Sequence, residues 1–402
     1  MPDTPSAAPA TLSATQVGHL VFVLGLAGFS SALTTRALDP LLVGVAADFN
    51  TSVERTALLA SAFALPYALI QPILGPIGDA LGKRLVMILC ASLLVLALAF
   101  GALATSLPML FVARVLAGAA AGGITPLALA TFGDSVPMAE RQVAMSRFMA
   151  WTIGGQVAGG ALSGFLAGYL GWRGVLAACG LVVLAGAVVL WRDSRRHPAP
   201  PARRFDLSIA LNHYKGILSN PRALRLFAGV AAEGLLVFSM FPFLAALLDL
   251  RGLGGTAEAG MALGIFGLGG FAYASLAALL VRTIGQANMM RLGGLLAGCG
   301  LLLVGLAGAL PVVLAGTLLL GLGYFMLHNS IQVRVTEVAP KARGSAMALH
   351  ACSFFLGQSL GPAVFGVAQA RIGTLPSLAV CAAGIVLVGF WLAHARRPAR
   401  QT

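Results

Sequence analysis

The chain has 402 residues, 58% of them hydrophobic and only 10% charged, with a formal net charge of +13 and a mean hydropathy of +0.91. A soluble domain carries about 25% charged residues, so this composition excludes a water-covered globule and points to lipid as the solvent. The basic residues sit in short segments between apolar runs, which is the loop bias of a membrane protein and argues against a nucleic-acid partner.

Residues 1–17 have no basic n-region before an apolar core, so they read as a cytoplasmic tail rather than a cleaved signal. Apolar runs of roughly 20 residues follow, each long enough to span a bilayer as a helix. The first six fall near 18–45, 56–77, 85–105, 108–131, 143–168 and 174–191 and make an N-terminal six-helix bundle over 18–191. The first run is so long that its outer end must tilt or leave the hydrocarbon. A cytoplasmic linker over 192–223 begins Pro- and Arg-rich. Its later part, LSIALNHYKGILSN, reads as a short helix on the membrane surface. Six further runs near 224–249, 259–282, 290–308, 311–332, 345–368 and 375–394 make a C-terminal bundle over 224–394, and 395–402 is a second cytoplasmic tail. The expected fold is an all-α membrane protein with twelve transmembrane helices in two pseudo-symmetric six-helix bundles. All five cysteines lie inside apolar runs, where they read as small packing residues rather than a disulfide framework.

The loops sort by charge. One side holds Lys83, Arg84, Arg141, Arg147, Arg282, Arg291, Lys341 and Arg343, together with the linker cluster Arg192, Arg195, Arg196, Arg203, Arg204 and the tail Arg396, Arg397, Arg400. The other side holds Arg55, Arg173, Arg251 and Arg371. This asymmetry places both termini and the linker in the cytoplasm.

Sliding the chain against itself by about 202 residues exposes a repeat. Arg141-Gln-Val-Ala-Met145 falls on Arg343-Gly-Ser-Ala-Met347, Gly155-Gln156 on Gly357-Gln358, Gly159-Gly160 on Gly361-Pro362, Gly164 on Gly366 and Gly171 on Gly373. One residue further along, Asp79-x-x-Gly82 meets Arg282-x-x-Gly285. Duplicated halves that rock against each other are the physical basis of alternating access, with the substrate site at their interface.

Several motifs carry chemistry. The loop after the second span reads Gly75-Pro-Ile-Gly-Asp79-Ala-Leu-Gly82-Lys83-Arg84. Its glycines permit a tight turn and close helix approach, and Asp79 can meet a helix N-terminus or a basic partner across the interface between halves. The fourth span carries Arg114-x-x-x-Gly118; an intramembrane charge costs at least about 2.5 kcal/mol and calls for a partner or a wet cavity. The first span ends Arg36-Ala-Leu-Asp39-Pro40, with Arg36 one helical turn before Asp39. Asp39 reads either as a proton or cation site or as a structural partner of Arg36. Glu233, well inside the seventh span, is a functional candidate unless it snorkels or pairs with a linker arginine. Tyr67, Gln71, Gln156, His328, Asn329 and Gln358 are candidate cavity-lining residues, with an interhelical hydrogen bond as the alternative for His328 and Asn329.

These motifs resemble those of the major facilitator superfamily, closest in pattern to its drug:proton antiporter-1 subfamily of twelve spans. The resemblance implies that Gly75, Asp79, Gly82, Lys83 and Arg84 form a gating loop, that Arg114 takes part in proton coupling, and that Asp39 is the matching carboxylate. The pattern departs at Ala80, where a basic residue commonly follows the aspartate. Gly160 and Ser163 stand where the antiporter motif of span five has proline and glycine.

The function expected is secondary active transport of a small organic solute by alternating access, as proton-coupled efflux. The alternative is an organic-anion transporter that uses Arg36 and Arg114 as a clamp, since arginine binds carboxylates bidentately. A non-transporting membrane sensor ranks lower for want of a soluble domain. No His-x-x-x-His pair, Gly-x-Ser-x-Gly elbow, P-loop or metal-spaced cluster occurs, so no enzyme activity, cofactor or metal is expected. The partners expected are the solute, a proton gradient and the bilayer, for a monomer in the bacterial cytoplasmic (inner) membrane.

Overall fold

A computed structural model describes residues 13–196, 207–340 and 342–394. Arg203, Arg204, Lys341, Arg396, Arg397 and Arg400, which contribute to the charge asymmetry, lie outside the described residues, as do most of the N-terminal tail and all of the C-terminal tail.

Helix α1 (Ala14–Arg36) starts at a capping box in which Ser13 and Gln16 satisfy each other's backbone N–H groups. It stops where the sequence forces it to. Pro40 cannot continue the hydrogen-bond ladder, and a 3-10 turn over Asp39–Leu41 leads into α2 (Leu42–Asp48). The long first span is thus broken toward its outer end. The second and third spans are α3 (Val53–Leu81) and α4 (Lys83–Ala102). The fourth is α5 (Leu107–Ala121) continued by α6 (Ile124–Ser135).

Met138–Arg196 forms a 59-residue helical stretch, α7, interrupted at Gly171, where φ is 63° and ψ 175°. In line, such a helix would reach about 90 Å, three times the hydrocarbon thickness. Gly171 therefore divides the fifth span from the sixth. The linker helix α8 (Leu207–Leu218) precedes the seventh span, which consists of α9 (Pro221–Phe238), a 3-10 turn at Phe241–Phe243 and α10 (Leu244–Leu250). The last five spans are α11 (Thr256–Thr283), α12 (Gly285–Leu306), α13 (Leu310–Val338), α14 (Arg343–Ile372) and α15 (Thr374–Ala393).

The repeat seen in sequence is also a repeat of geometry. Gly171 and Gly373 both take positive φ, as do Gly82 and Gly285, which L side chains rarely adopt. Pro40 and Pro242 sit in matching 3-10 turns. A Cβ on Gly118 would overlap the Phe63 carbonyl, and one on Gly321 the Phe266 carbonyl. The same holds for Gly155 against Phe29 and Gly357 against Ala231. Backbones this close need glycine.

The halves meet along α3 with α14 and along α7 with α11. The Tyr67 and Phe355 rings stack with centroids 4.0 Å apart. Away from the termini the contact tightens: a Cβ on Gly164 would stand 2.7 Å from the Gly260 Cα, and the two 3-10 turns touch. The halves are therefore joined on the side opposite the termini.

On the terminus side the linker helix is fastened by proline chemistry. Pro76 has no N–H to give the Pro72 carbonyl four residues earlier, and the Tyr214 hydroxyl donates to that carbonyl at 2.9 Å instead. Burial, with the nearby Cys352 thiol, raises the Tyr214 pKa above its ordinary value, which keeps the hydroxyl a donor.

Candidate functional site

Arg36 and Asp39 form a buried ion pair, Nη1 to Oδ2 at 2.8 Å. The break after Arg36 turns the carboxylate back toward the guanidinium one turn below it. Arg114 lies close enough for its charge to act on both and on Cys179. The Arg-x-x-x-Gly spacing explains its placement. Gly118 lets α5 settle against α3 at Phe63, which sets the Arg114 side chain 4.3 Å above the Phe63 ring. Its Nε donates to the Leu59 carbonyl at 3.4 Å. Three guanidinium nitrogens, Arg36 Nη2 and Arg114 Nη1 and Nη2, are buried without an acceptor among the described residues. The cluster carries two cations and one anion, with donors left over for a bound anionic group.

Across the seam Arg36 stacks on aromatic rings of the other half, its Cζ 4.2 Å from the Phe238 centroid and 5.8 Å from that of Phe241. Phe238 in turn meets Tyr324, Phe354 and Phe266 at 5.0, 5.5 and 5.8 Å. Behind this wall lies a second polar group. Glu233 is fully buried, and its Oε2 meets His328 Nδ1 at 2.7 Å. The His328 ring is 5.1 Å from that of His350. Glu233 Oε1, His350 Nε2 and Gln358 Oε1 have no partner among the described residues. Among the described residues no three His, Cys, Asp or Glu side chains are arranged to hold a metal ion.

Two expectations are corrected here. Glu233 does not snorkel, and among the described residues no linker arginine reaches it: it is fully buried, and His328 from α13 faces it at midspan. Asp79 does not cross the interface: it pairs with Lys83 of its own half at 2.6 Å and is 61% exposed. Lys83 also meets Asp134 at 2.5 Å, and Arg84 meets Asp193 at 2.9 Å, whose other oxygen holds His19 at 2.9 Å. Gly82 makes the turn possible with φ 94°, and Gly78 packs on Leu127. Around a Cβ on Gly75 the space is open.

The remaining candidates scatter. Tyr67 hydrogen-bonds Thr125 and Gln71 within the first half, and Asn329 meets Tyr273 on α11. Gln358 is buried while its repeat mate Gln156 is only half-buried, so the two do not share an environment.

Sequence reasoning missed His350, Tyr324, the phenylalanine wall, Asp134 and Asp193. Some signals were present. Acidic residues in the last turn of a helix oppose its dipole, which marks Asp134 and Asp193 as held by basic partners. A histidine inside an apolar span is costly unless it has a partner. Phe238 occupies the repeat position of Arg36.

The profile of the Major Facilitator Superfamily matches residues 24–362. The chain is 26% identical over 382 residues to YwfA of Bacillus subtilis, described as an uncharacterized MFS-type transporter, covering 93% of this chain and 90% of that protein. It is 28% identical over 394 residues to a chloramphenicol resistance protein of Streptomyces lividans, covering 92% and 95%. Among solved structures, a bacterial homolog of the human lysosomal transporter Spinster, in an inward-facing and unoccupied conformation, superposes with a TM-score of 0.79 at 17% identity, covering 96% of this chain and all of that one.

Proposed function

This chain belongs to the Major Facilitator Superfamily, and we propose that it is a proton-coupled secondary transporter that expels a small organic solute by alternating access. It works as a monomer in the bacterial cytoplasmic membrane with both termini inside. The observation that carries this reading is the buried Arg36–Asp39–Arg114 cluster at the seam between halves, facing the Phe238 wall with the Glu233–His328 pair behind it. Charges buried at the seam of two rocking halves are where an ion gradient can act on the conformational equilibrium. Full-length similarity to a chloramphenicol resistance protein supports the outward direction.

Asp39 and Arg114 carry the coupling, and Glu233 with His328 forms the second proton-exchanging group. Tyr67, Gln71 and Gln358 line the path, and the loop from Gly75 to Arg84 controls rocking. With the far side joined and Asp79 and Asp134 exposed on the terminus side, the molecule stands with its site directed toward the cytoplasm.

Purified protein screened by thermal shift against a compound panel identifies the solute. Proteoliposomes with an imposed pH gradient then test coupling, and a gradient that drives no accumulation of the stabilising compound sinks the proton-coupled reading. Cysteine replacements at Lys83 and Arg173 in a background lacking native cysteines test orientation. An impermeant reagent applied to intact cells should label position 173 and spare position 83.

The unpartnered nitrogens of Arg36 and Arg114 favour a second reading, an organic anion clamped between them. Stabilisation confined to carboxylate- or phosphate-bearing compounds would select it.

A further inference from the structure

We propose that a cleft on the terminus side of the N-terminal half is a binding site for the headgroup of an anionic phospholipid. The cleft has a volume of about 630 Å3 and lies among the terminus-side ends of α1, α4, α6 and α7. Its wall combines Arg84, Arg192 and Arg196 with His19, Thr15 and Gln16 at the start of α1.

Charge decides what it accepts. Among the described residues the one acidic member of the lining, Asp193, is buried, and each of its oxygens is already held, Oδ1 by His19 and Oδ2 by Arg84. Arg192 and Arg196 are exposed and contribute positive charge that this carboxylate does not neutralise. The first turn of α1 adds the positive end of its dipole. A phosphodiester meets both features.

Position decides the source of the phosphate. Four helix ends place the cleft at the boundary between hydrocarbon and water. Leu20, Phe22 and Val23 continue its wall toward the hydrocarbon, with Phe22 half exposed. Trp191 is exposed beside it and carries the Arg195 guanidinium at 4.4 Å, the arrangement of an interfacial aromatic belt. A lipid satisfies both the basic rim and the apolar floor, and a free phosphate satisfies only the rim. Basic pockets between spans on the cytoplasmic side suit such headgroups.

The site has a regulatory consequence, which rests on the gating reading of the loop. Arg84 belongs both to the cleft and to that loop. A bound phosphodiester competes with Asp193 for Arg84, so the anionic lipid content of the membrane acts on the loop that controls rocking.

Native mass spectrometry of the full chain tests binding without reference to transport. Protein equilibrated with phosphatidylglycerol or phosphatidylcholine is compared between the native sequence and the double variant Arg192→Gln/Arg196→Gln. Phosphatidylglycerol retention should fall about 30-fold in the variant, from two near-surface arginines, while phosphatidylcholine retention stays level. Arg195→Gln, whose side chain lies over Trp191, should change neither. Inorganic phosphate should leave phosphatidylglycerol bound. Equal phosphatidylglycerol retention in the native protein and the double variant overturns the proposal, and so does displacement by millimolar phosphate, which would mark a soluble-anion site. Failure of pH-driven transport with lipid retention as expected would count against the transport reading alone.

Discussion

In the N-terminal half Gly118 brings the fourth span onto the Phe63 carbonyl of the second; in the C-terminal half Gly321 brings the tenth span onto the Phe266 carbonyl of the eighth. One turn before these glycines the halves part company. Arg114 stands in the first and Thr317 in the second, the latter buried with its hydroxyl turned back to the Leu314 carbonyl. Arg36 and Asp39 correspond in the repeat to Phe238 and Phe241, while Glu233 and His328 correspond to Ser31 and Thr125. Close backbone approach tolerates only glycine, so the packing positions agree. The side chains that face the seam are not bound by that limit. There one half carries arginine and aspartate where the other carries rings, and the guanidinium of one rests on the phenyl face of the other. A seam of stacked cation and ring can part at modest cost, because a cation–π contact is worth about 0.5–2 kcal/mol.

The largest effect expected separates charge from packing in the N-terminal half. Asp39→Asn leaves Arg36 and Arg114 buried without their counter-charge, a loss of about 3–5 kcal/mol. It should abolish gradient-driven flux in proteoliposomes while exchange of bound solute persists. The neutral pair Arg36→Met/Asp39→Leu leaves only Arg114 without its counter-charge and should recover part of the thermal unfolding temperature without recovering driven flux. Driven flux restored together with stability would make the pair structural.

Gly118→Val and Gly321→Val test the shared part of the comparison. Each pushes a side chain into a facing carbonyl, at about 3 kcal/mol, and the two should lower the unfolding temperature in detergent by similar amounts. A mild Gly321→Val beside a severe Gly118→Val would show that the second half does not depend on the same contact.

Asp79→Asn removes one of the two carboxylates on Lys83, the other being Asp134. Solute binding should survive, with turnover reduced about tenfold, the equivalent of one charge-assisted hydrogen bond. Native turnover would refute the gating role. The smallest effect belongs to the linker: Tyr214→Phe strands the Pro72 carbonyl and should cost about 1 kcal/mol in thermal stability with little change in transport.

Much of the fold was legible because lipid is an exacting solvent. Spans must be apolar and about twenty residues long, so their places could be read near 108–131 or 375–394 without knowing a neighbour. Gly171 and Gly373 were legible as repeat mates, since breaks at positive φ admit few residue types. The Pro40 break was foreshadowed only as a span too long for the membrane. Arg36 beside Asp39 was legible for a similar reason: they are one turn apart on a single segment, so the pair needs no tertiary information.

What joins Arg114 to that pair, Glu233 to His328, and Arg36 to Phe238 was decided by the tertiary structure alone. Such partners lie on different spans, and the residues between them in sequence carry no record of which helix faces stand opposite. An isolated buried charge announces that it needs a partner, because its desolvation must be offset somewhere. It does not name the partner. The sequence determined that Arg114, Glu233 and Asp39 were costly to bury; the packing of glycine against carbonyl set the distances at which their partners could answer.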